Sequence, residues 1–321
     1  MESGLILFNK DAGITSFDAL REIKRALGTG KVGHTGTLDK FARGLLIVLA
    51  GKALKLSRWF TNCDKKYRGR IHFGIETDTL DPEGMVTAKA ELPGCETIEQ
   101  ALKQFTGSIM QAPPLFSAIH VNGKRASDLA RSGQDVQMKK RPVNIYKLEL
   151  LSWKPPFADI FVHCSSGTYI RSLARDIALA AGSRAHLCEL LRTQVAGFEL
   201  SNEERYKETQ TVLAADFKSR EEEDKRTEKK VLPINKSVIK TLGLPWYEVS
   251  LHETDHIIHG KPLDIILKDK CPVSTDDTLL SGPYSLLPDT CLKTAAAVFC
   301  DETLVAIIEK TDGKWKYGCV M

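Results

Sequence analysis

The chain has 321 residues, 42% hydrophobic and 27% charged, and its 45 Lys+Arg against 41 Asp+Glu leave a net charge of +4. That length suggests about two domains at ~150 residues each, the composition is ordinary for a globular protein, and the charge balance excludes a histone-like polycation. No run of ~18 apolar residues occurs, which excludes a membrane-spanning helix, and none of the eight cysteines forms the CxxC pair of a zinc ribbon or a thioredoxin-like site.

Met1-Glu2-Ser3-Gly4 lacks the basic start of a signal peptide, so reduced cysteines in a cytoplasmic protein are the simplest expectation. Residues 5–8 read as a short strand. Thr15 and Ser16 are candidate caps for a helix whose Phe17, Leu20, Ile23 and Leu27 keep helical spacing, and Gly28 ends it. A glycine-rich loop, Gly28-Thr29-Gly30-Lys31-Val32-Gly33-His34-Thr35-Gly36, follows. Residues 45–50 form an unbroken apolar run, the pattern of a strand buried on both faces. Residues 67–73 alternate, with Tyr67, Gly69, Ile71 and Phe73 on one side.

Thr97-Ile98-Glu99-Gln100 has the form of a capping box opening a helix through Phe105. Ala112-Pro113-Pro114 breaks the chain. Strands are expected over 143–153 and 158–165, then a helix entered by Gly167-Thr168-Tyr169-Ile170-Arg171 and closed by Gly182. Residues 203–230 carry nine acids against eight bases with no apolar stripe, and they read as a solvated helix or linker at a domain boundary. Beyond it lie short β-like pieces, including 295–300 and 304–308. The expected organisation is an α+β first domain over 1–202, a charged linker over 203–231 and a small β-rich domain over 232–321.

Charge is uneven. Residues 31–72 hold ten Lys/Arg against two Asp/Glu, a net +8, and residues 120–142 a net +4. Residues 251–321 hold seven Lys, no Arg and eleven acids, a net −4. A basic first half suits a polyanion bound in one groove. Three segments look chemical. Asp39 follows the glycine turn Gly33-His34-Thr35-Gly36-Thr37-Leu38, where backbone can approach a ligand closely. Lys65-Lys66-Tyr67-Arg68 sets an aromatic among cations, which suits base stacking beside phosphates. Arg171 stands at a strand-to-helix junction, where it can pair with a buried carboxylate. The loop lacks the GK[ST] ending of a phosphate-binding P-loop, and His252, His256 and His259 have no nearby Cys to complete a zinc set. From the residues alone the reading is a nucleic-acid-acting protein with one carboxylate, its reaction open.

At these residues the sequence resembles the TruB family of tRNA pseudouridine synthases, bacterial type. The resemblance rests on Gly33-His34-Thr35-Gly36-Thr37-Leu38-Asp39, Lys66-Tyr67-Arg68, Pro113-Pro114-Leu115-Phe116-Ser117-Ala118, Asn122-Gly123-Lys124-Arg125 and Gly167-Thr168-Tyr169-Ile170-Arg171, in family order across residues 4–200. It implies a pseudouridine synthase catalytic domain with a central mixed or antiparallel sheet, an RNA-gripping insertion over about 112–142, and a PUA-like RNA-binding domain over 232–321. It implies isomerisation of uridine 55 in the tRNA T-loop, with the base flipped out and no cofactor. Asp39 matches the family's nucleophile, Tyr67 the tyrosine that stacks on the target base, and Arg171 the arginine paired with the acid. His34, Tyr169 and Leu190 match substrate-pocket positions, and Lys124, Arg125 and Arg141 are candidate RNA contacts in or beside the insertion. The expected partner is tRNA, at its T-arm and acceptor end, bound by a monomer with no membrane and no obligatory protein partner. Two alternatives stand beside this reading: a guide-RNA-dependent relative, and an RNA-binding or tRNA-folding protein without catalysis.

Overall fold

A computed structural model of the chain describes residues 3–121, 123–132, 137–200, 231–268, 270–273 and 294–321. The expected linker over 203–230 lies outside the described residues. The chain begins with β1 (Gly4–Lys10) and α1 (Ser16–Leu27), then β2 (Val32–His34) and β3 (Arg43–Ala50). Thr15 caps α1 in a reciprocal box with Asp18, and Gly28 closes it in the left-handed conformation (φ 60°). A 3-10 turn leads into α2 (Ser57–Thr61), then β4 (Lys65–Phe73) and the hairpin of β5 (Ile75–Thr77) and β6 (Val86–Lys89). Next come α3 (Cys95–Lys103), β7 (Gly107–Gln111), the small hairpin of β8 (His120–Val121) and β9 (Lys124–Arg125), and α4 (Ala126–Arg131). The half closes with β10 (Arg141–Lys154), β11 (Phe157–Cys164), α5 (Ile170–Ala180), β12 (Ala185–Val195) and β13 (Phe198–Glu199).

These strands form one sheet of order β1-β3-β12-β4-β11-β10-β7, with β2 on β3 and β13 on β12. Every neighbour is antiparallel except β12 with β3, paired through Leu191–Arg43 and Arg192–Gly44. The sheet is therefore mixed, and its one parallel pair brings β12 beside the strand that follows the Asp39 loop. The unbroken apolar run of β3 is explained by two cores. Leu46, Val48 and Ala50 pack under α1 with Ala19, Leu20 and Ile23, while Leu45, Ile47 and Leu49 face the opposite way. A third core lies between α3, α5 and the centre of the sheet, and it includes Leu38, Tyr67 and Leu190.

Residues 231–321 contribute α6 (Lys236–Thr241), β14 (Trp246–Glu248), α7 (Leu251–Ile258), α8 (Leu263–Ile266), β15 (Ala295–Cys300), β16 (Thr303–Thr311) and β17 (Lys314–Val320). The strands form a separate sheet of order β14-β15-β16-β17. Its apolar face is shared with the first half. Val238, Ile239, Leu242, Leu244, Ala297, Phe299 and Ile307 pack against Leu5, Ile47, Leu49, Trp59 and Phe60 in a continuous cluster. Leu5 and Leu232 exchange two backbone hydrogen bonds of 2.8 Å, and Arg58 pairs with Glu309 at 2.8 Å.

Two local expectations differ from the structure. The helix read from Thr97 begins at Cys95 with Gly94 at its N-cap, so the Thr97 capping box does not form. Gly94 has the extended backbone a cap needs (φ −74°, ψ 160°) and follows Pro93, which stops the helix from reaching further back. The Lys65-Lys66-Tyr67-Arg68 segment does not gather its ring and cations on one surface. Successive strand residues point to opposite faces. Lys65 accordingly shares the buried face with Tyr67 and donates to the carbonyls of Thr61 (3.0 Å) and Cys63 (2.6 Å).

Candidate active site

Asp39 ends the glycine turn between β2 and β3, and the turn is held from both sides. Ser16, the first residue of α1, accepts from the Leu38 N–H at 2.9 Å and donates its hydroxyl to the Leu38 carbonyl at 3.1 Å. The Ala42 N–H donates to the Asp39 carbonyl at 3.1 Å. Beneath lies the fully buried Lys10, whose ammonium donates to the carbonyls of Asp11 (2.8 Å), Ile14 (2.8 Å) and Lys40 (3.4 Å). Burial pushes Lys10 down to about 8, against the pull of Asp11 and Asp39.

Arg171 arrives from the first turn of α5, its side chain only 5% exposed. Nη2 donates to Asp39 Oδ1 at 2.9 Å and to the Phe116 carbonyl at 3.1 Å. Nη1 donates to Asp81 Oδ2 at 3.0 Å and to the Thr79 carbonyl at 2.8 Å. One guanidinium thus joins two carboxylates and ties the start of the 112–142 insertion to the Asp39 loop. Asp39 is held by these groups yet keeps 34% of its side chain open. Burial raises its pKa above the ordinary carboxylate value; Arg171 opposes that shift and the neighbouring Asp81 adds to it.

Tyr67, on β4, faces the core that holds Leu38 and Leu190, and burial pushes its hydroxyl up to about 12. Asp39 is among the charges bearing on that hydroxyl. His34 is half-buried, its pKa lowered by burial and by the nearby Arg192. Tyr169 caps α5, and Gln111 grips its backbone with both ends of one amide: Nε2 donates to the Tyr169 carbonyl at 3.1 Å, and Oε1 accepts its N–H at 2.8 Å. Arg141 lies 5.1 Å over the Tyr169 ring and donates to the Gly167 carbonyl at 2.8 Å. Lys124 and Arg125 lie exposed on the β8–β9 hairpin. Among the described residues, no three His, Cys, Asp or Glu side chains gather as a metal site.

Residues 24–170 match the family model described as TruB family pseudouridylate synthase (N terminal domain). The chain is 46% identical over 205 residues to the tRNA pseudouridine synthase B of Borreliella burgdorferi (strain ZS7), spanning 63% of this chain and 73% of that protein. It is likewise 46% identical over 201 residues to the tRNA pseudouridine synthase B of Bordetella avium (strain 197N), spanning 61% and 82%. The chain belongs to the TruB family of pseudouridylate synthases. Its fold is also similar to a chain of the Cbf5-Nop10-Gar1 complex, with a TM-score of 0.64 at 24% identity over 96% of this chain and 78% of that one.

Within this TruB chain, three side chains around the site escape a sequence reading. Asp81 sits in a turn where Leu80 takes φ 60°, and its Oδ1 accepts from the Thr79 hydroxyl (2.6 Å) and the Glu83 N–H (3.0 Å). The dense Thr77-Asp78-Thr79-Leu80-Asp81 turn is its only local signal. Gln111 ends β7, 1% exposed, and nothing in its neighbourhood distinguishes it from a surface amide. Arg192 is a charge within the strand Leu190-Leu191-Arg192, 2% exposed, and a buried Arg in an apolar strand is the clue that could have drawn attention to it.

Proposed function

We propose that this chain converts uridine 55 in the T-loop of tRNA to pseudouridine, with Asp39 as its nucleophile. The observation that carries the reading is a partly exposed carboxylate held by a buried arginine, with a buried tyrosine whose hydroxyl feels its charge. Membership of the family and the tRNA-modifying activity named for its relatives support the substrate.

The chemistry sets the roles. The C1′–N1 bond breaks with its electron pair going to N1, the detached uracil turns, and C5 bonds to C1′; the proton lost from C5 is matched by one taken up at N1. Electrons are neither gained nor lost overall, so the isomerisation calls for no redox cofactor. Ionised Asp39 either attacks C1′ or assists elimination at the sugar, and Arg171 holds it in one orientation. Tyr67, with Leu190 beside it, supplies a ring and an apolar wall that retain the detached uracil and exclude water. His34 and Tyr169 complete the pocket. The nucleotide must be extruded first, which costs a few kcal/mol and costs less in an unpaired loop.

Lys124 and Arg125, exposed on the insertion, are assigned to tRNA phosphates, and Arg141 to the pocket rim through Tyr169. Residues 232–321 are assigned as a PUA-like module whose net −3 suits hydrogen-bonded and shape contacts to the acceptor end. The test is incubation with unmodified tRNA transcripts, followed by mapping of pseudouridine at every uridine. Modification at uridine 55 alone is expected. Modification elsewhere, or none with a folded protein, sinks the assignment.

A further inference from the structure

Arg192 is a buried cation that the reaction described so far does not use. It stands on β12, in register opposite Tyr67 on β4, and is 2% exposed. Its Nε donates to the Leu45 carbonyl at 2.7 Å, Nη2 to the Gly36 carbonyl at 3.2 Å and Nη1 to the Thr37 carbonyl at 3.5 Å. Among the described residues it forms no ion pair. Burying a charge without a counter-charge is costly, and in most interiors such a group is paired or replaced. Its charge bears on Lys10, His34, Lys65 and Tyr67, the groups that line the inner side of the Asp39 loop.

Two of the three carbonyls that Arg192 holds belong to the turn just before Asp39, at Gly36 and Thr37. The third, Leu45, lies in the buried part of β3 on the far side of that loop. Across the β12–β4 pair the residue directly opposite is Tyr67, so the strand position that holds the turn is also the one that flanks the tyrosine. We propose that Arg192 is a positioning residue that fixes the Gly36–Asp39 turn against the strand pair that carries Tyr67. It touches neither the substrate nor the Asp39 carboxylate and acts through the two groups that do the chemistry. The inference rests on the functional reading above, in which Asp39 and Tyr67 face the same nucleotide.

A planar fork can span the three carbonyls of Leu45, Gly36 and Thr37 at once, so a lysine at this place keeps the charge and loses the alignment. A displacement of ~1 Å between reacting groups costs roughly 10²-fold in rate. The experiment compares the full chain with Arg192→Lys and Arg192→Gln, with Asp39→Asn run in parallel. For each protein, single-turnover conversion of an unmodified tRNA transcript, the Kd for that transcript and the thermal midpoint are measured, and the rate is followed across pH.

The expected result for Arg192→Lys is a single-turnover rate lower by roughly 10²-fold, with Kd and thermal midpoint close to those of the unsubstituted chain. Arg192→Gln should be slower still, so that lysine gives partial rescue. In Arg192→Lys, which keeps the charge, the acid limb of the rate profile should stay in place, because Arg171 still holds the Asp39 carboxylate. An unchanged rate in Arg192→Lys overturns the inference. A rate that falls only in step with Kd and thermal midpoint overturns it too, because that is the signature of a structural role alone. Should Arg192→Gln fail to fold, the lysine variant decides by the same criteria. Near-normal turnover by Asp39→Asn would instead sink the functional reading itself.

Discussion

Replacing Arg171 by methionine removes the group that joins Asp39 to Asp81 and leaves a side chain of similar length. Four hydrogen bonds disappear: to Asp39 (2.9 Å), Asp81 (3.0 Å), Thr79 (2.8 Å) and Phe116 (3.1 Å). The stability cost sits mainly at Asp81, whose side chain is 9% exposed; the Asp39 end, 34% exposed, is partly compensated by solvent. Stranding one buried carboxylate costs about 3 kcal/mol, or roughly 6–12 °C in thermal midpoint at about 2–4 °C per kcal/mol. The rate effect comes from the single charge-assisted bond to Asp39, about 1.5–3 kcal/mol and hence roughly 10–150-fold.

The pH dependence of the same variant has a definite sign. With Asp39 in the proposed role its ionised form is the active one, so activity should be present above its pKa and be lost as pH falls through it. Arg171 lowers that pKa. Without the arginine the acid limb moves to higher pH, and Arg171→Lys should lie between the two. The assay is tritium release from tRNA labelled at uridine C5, under single-turnover conditions with enzyme in excess, from mildly acidic to neutral pH. An Arg171→Met protein with an unchanged rate and an unmoved acid limb refutes the assignment of Asp39 and Arg171 as a functional pair.

Asp81→Asn should move the acid limb the opposite way, to lower pH, because Asp81 raises the Asp39 pKa; an upward shift in the rate profile contradicts the two-carboxylate arrangement. Asp39→Asn should abolish turnover while leaving the thermal midpoint at neutral pH unchanged or higher, since a raised carboxyl pKa means that ionisation opposes folding as pH rises through and above the unfolded value; a clear drop in midpoint argues against that balance. Charge-neutral substitution of Lys124, Arg125, Lys139 and Lys140 should flatten the log–log salt dependence of tRNA binding by roughly one unit for each phosphate no longer neutralised, whereas Arg141, engaged with Gly167 and Tyr169, should affect turnover more than slope. Truncation before Leu232 should give an aggregating or strongly destabilised protein, because it uncovers Leu5, Ile47, Leu49, Trp59 and Phe60; a soluble, fully stable truncated chain, judged by sedimentation and thermal melting, counts against the shared core.

The sequence by itself determined the features that depend on local chemistry. Thr15 with Asp18, and Gly28 thirteen residues after Thr15, set the ends of α1 through hydrogen bonds and a left-handed backbone that those residues can make wherever the helix lies. The apolar run of β3 announced burial on both faces, and the alternation of β4 put Tyr67 inward. Asp39 and Arg171 were recognisable as candidates, each from its own segment.

What only the tertiary structure decided is which distant groups meet. Asp81 reaches Arg171 because the turn after β5 packs against β12, where the Leu187 N–H donates to the Leu80 carbonyl. Arg192 reaches the Asp39 loop because β12 runs parallel to β3 and antiparallel to β4, a placement no local pattern encodes. The count of +8 over residues 31–72 also misjudged the free charge: Lys40, Arg58 and Arg70 pair with Glu83, Glu309 and Asp159, and Lys55 and Lys65 donate to backbone carbonyls. Sequence spacing reports periodicity along one element, while the partner of a buried charge is chosen by strand order and by the cost of leaving that charge unpaired in a medium without water.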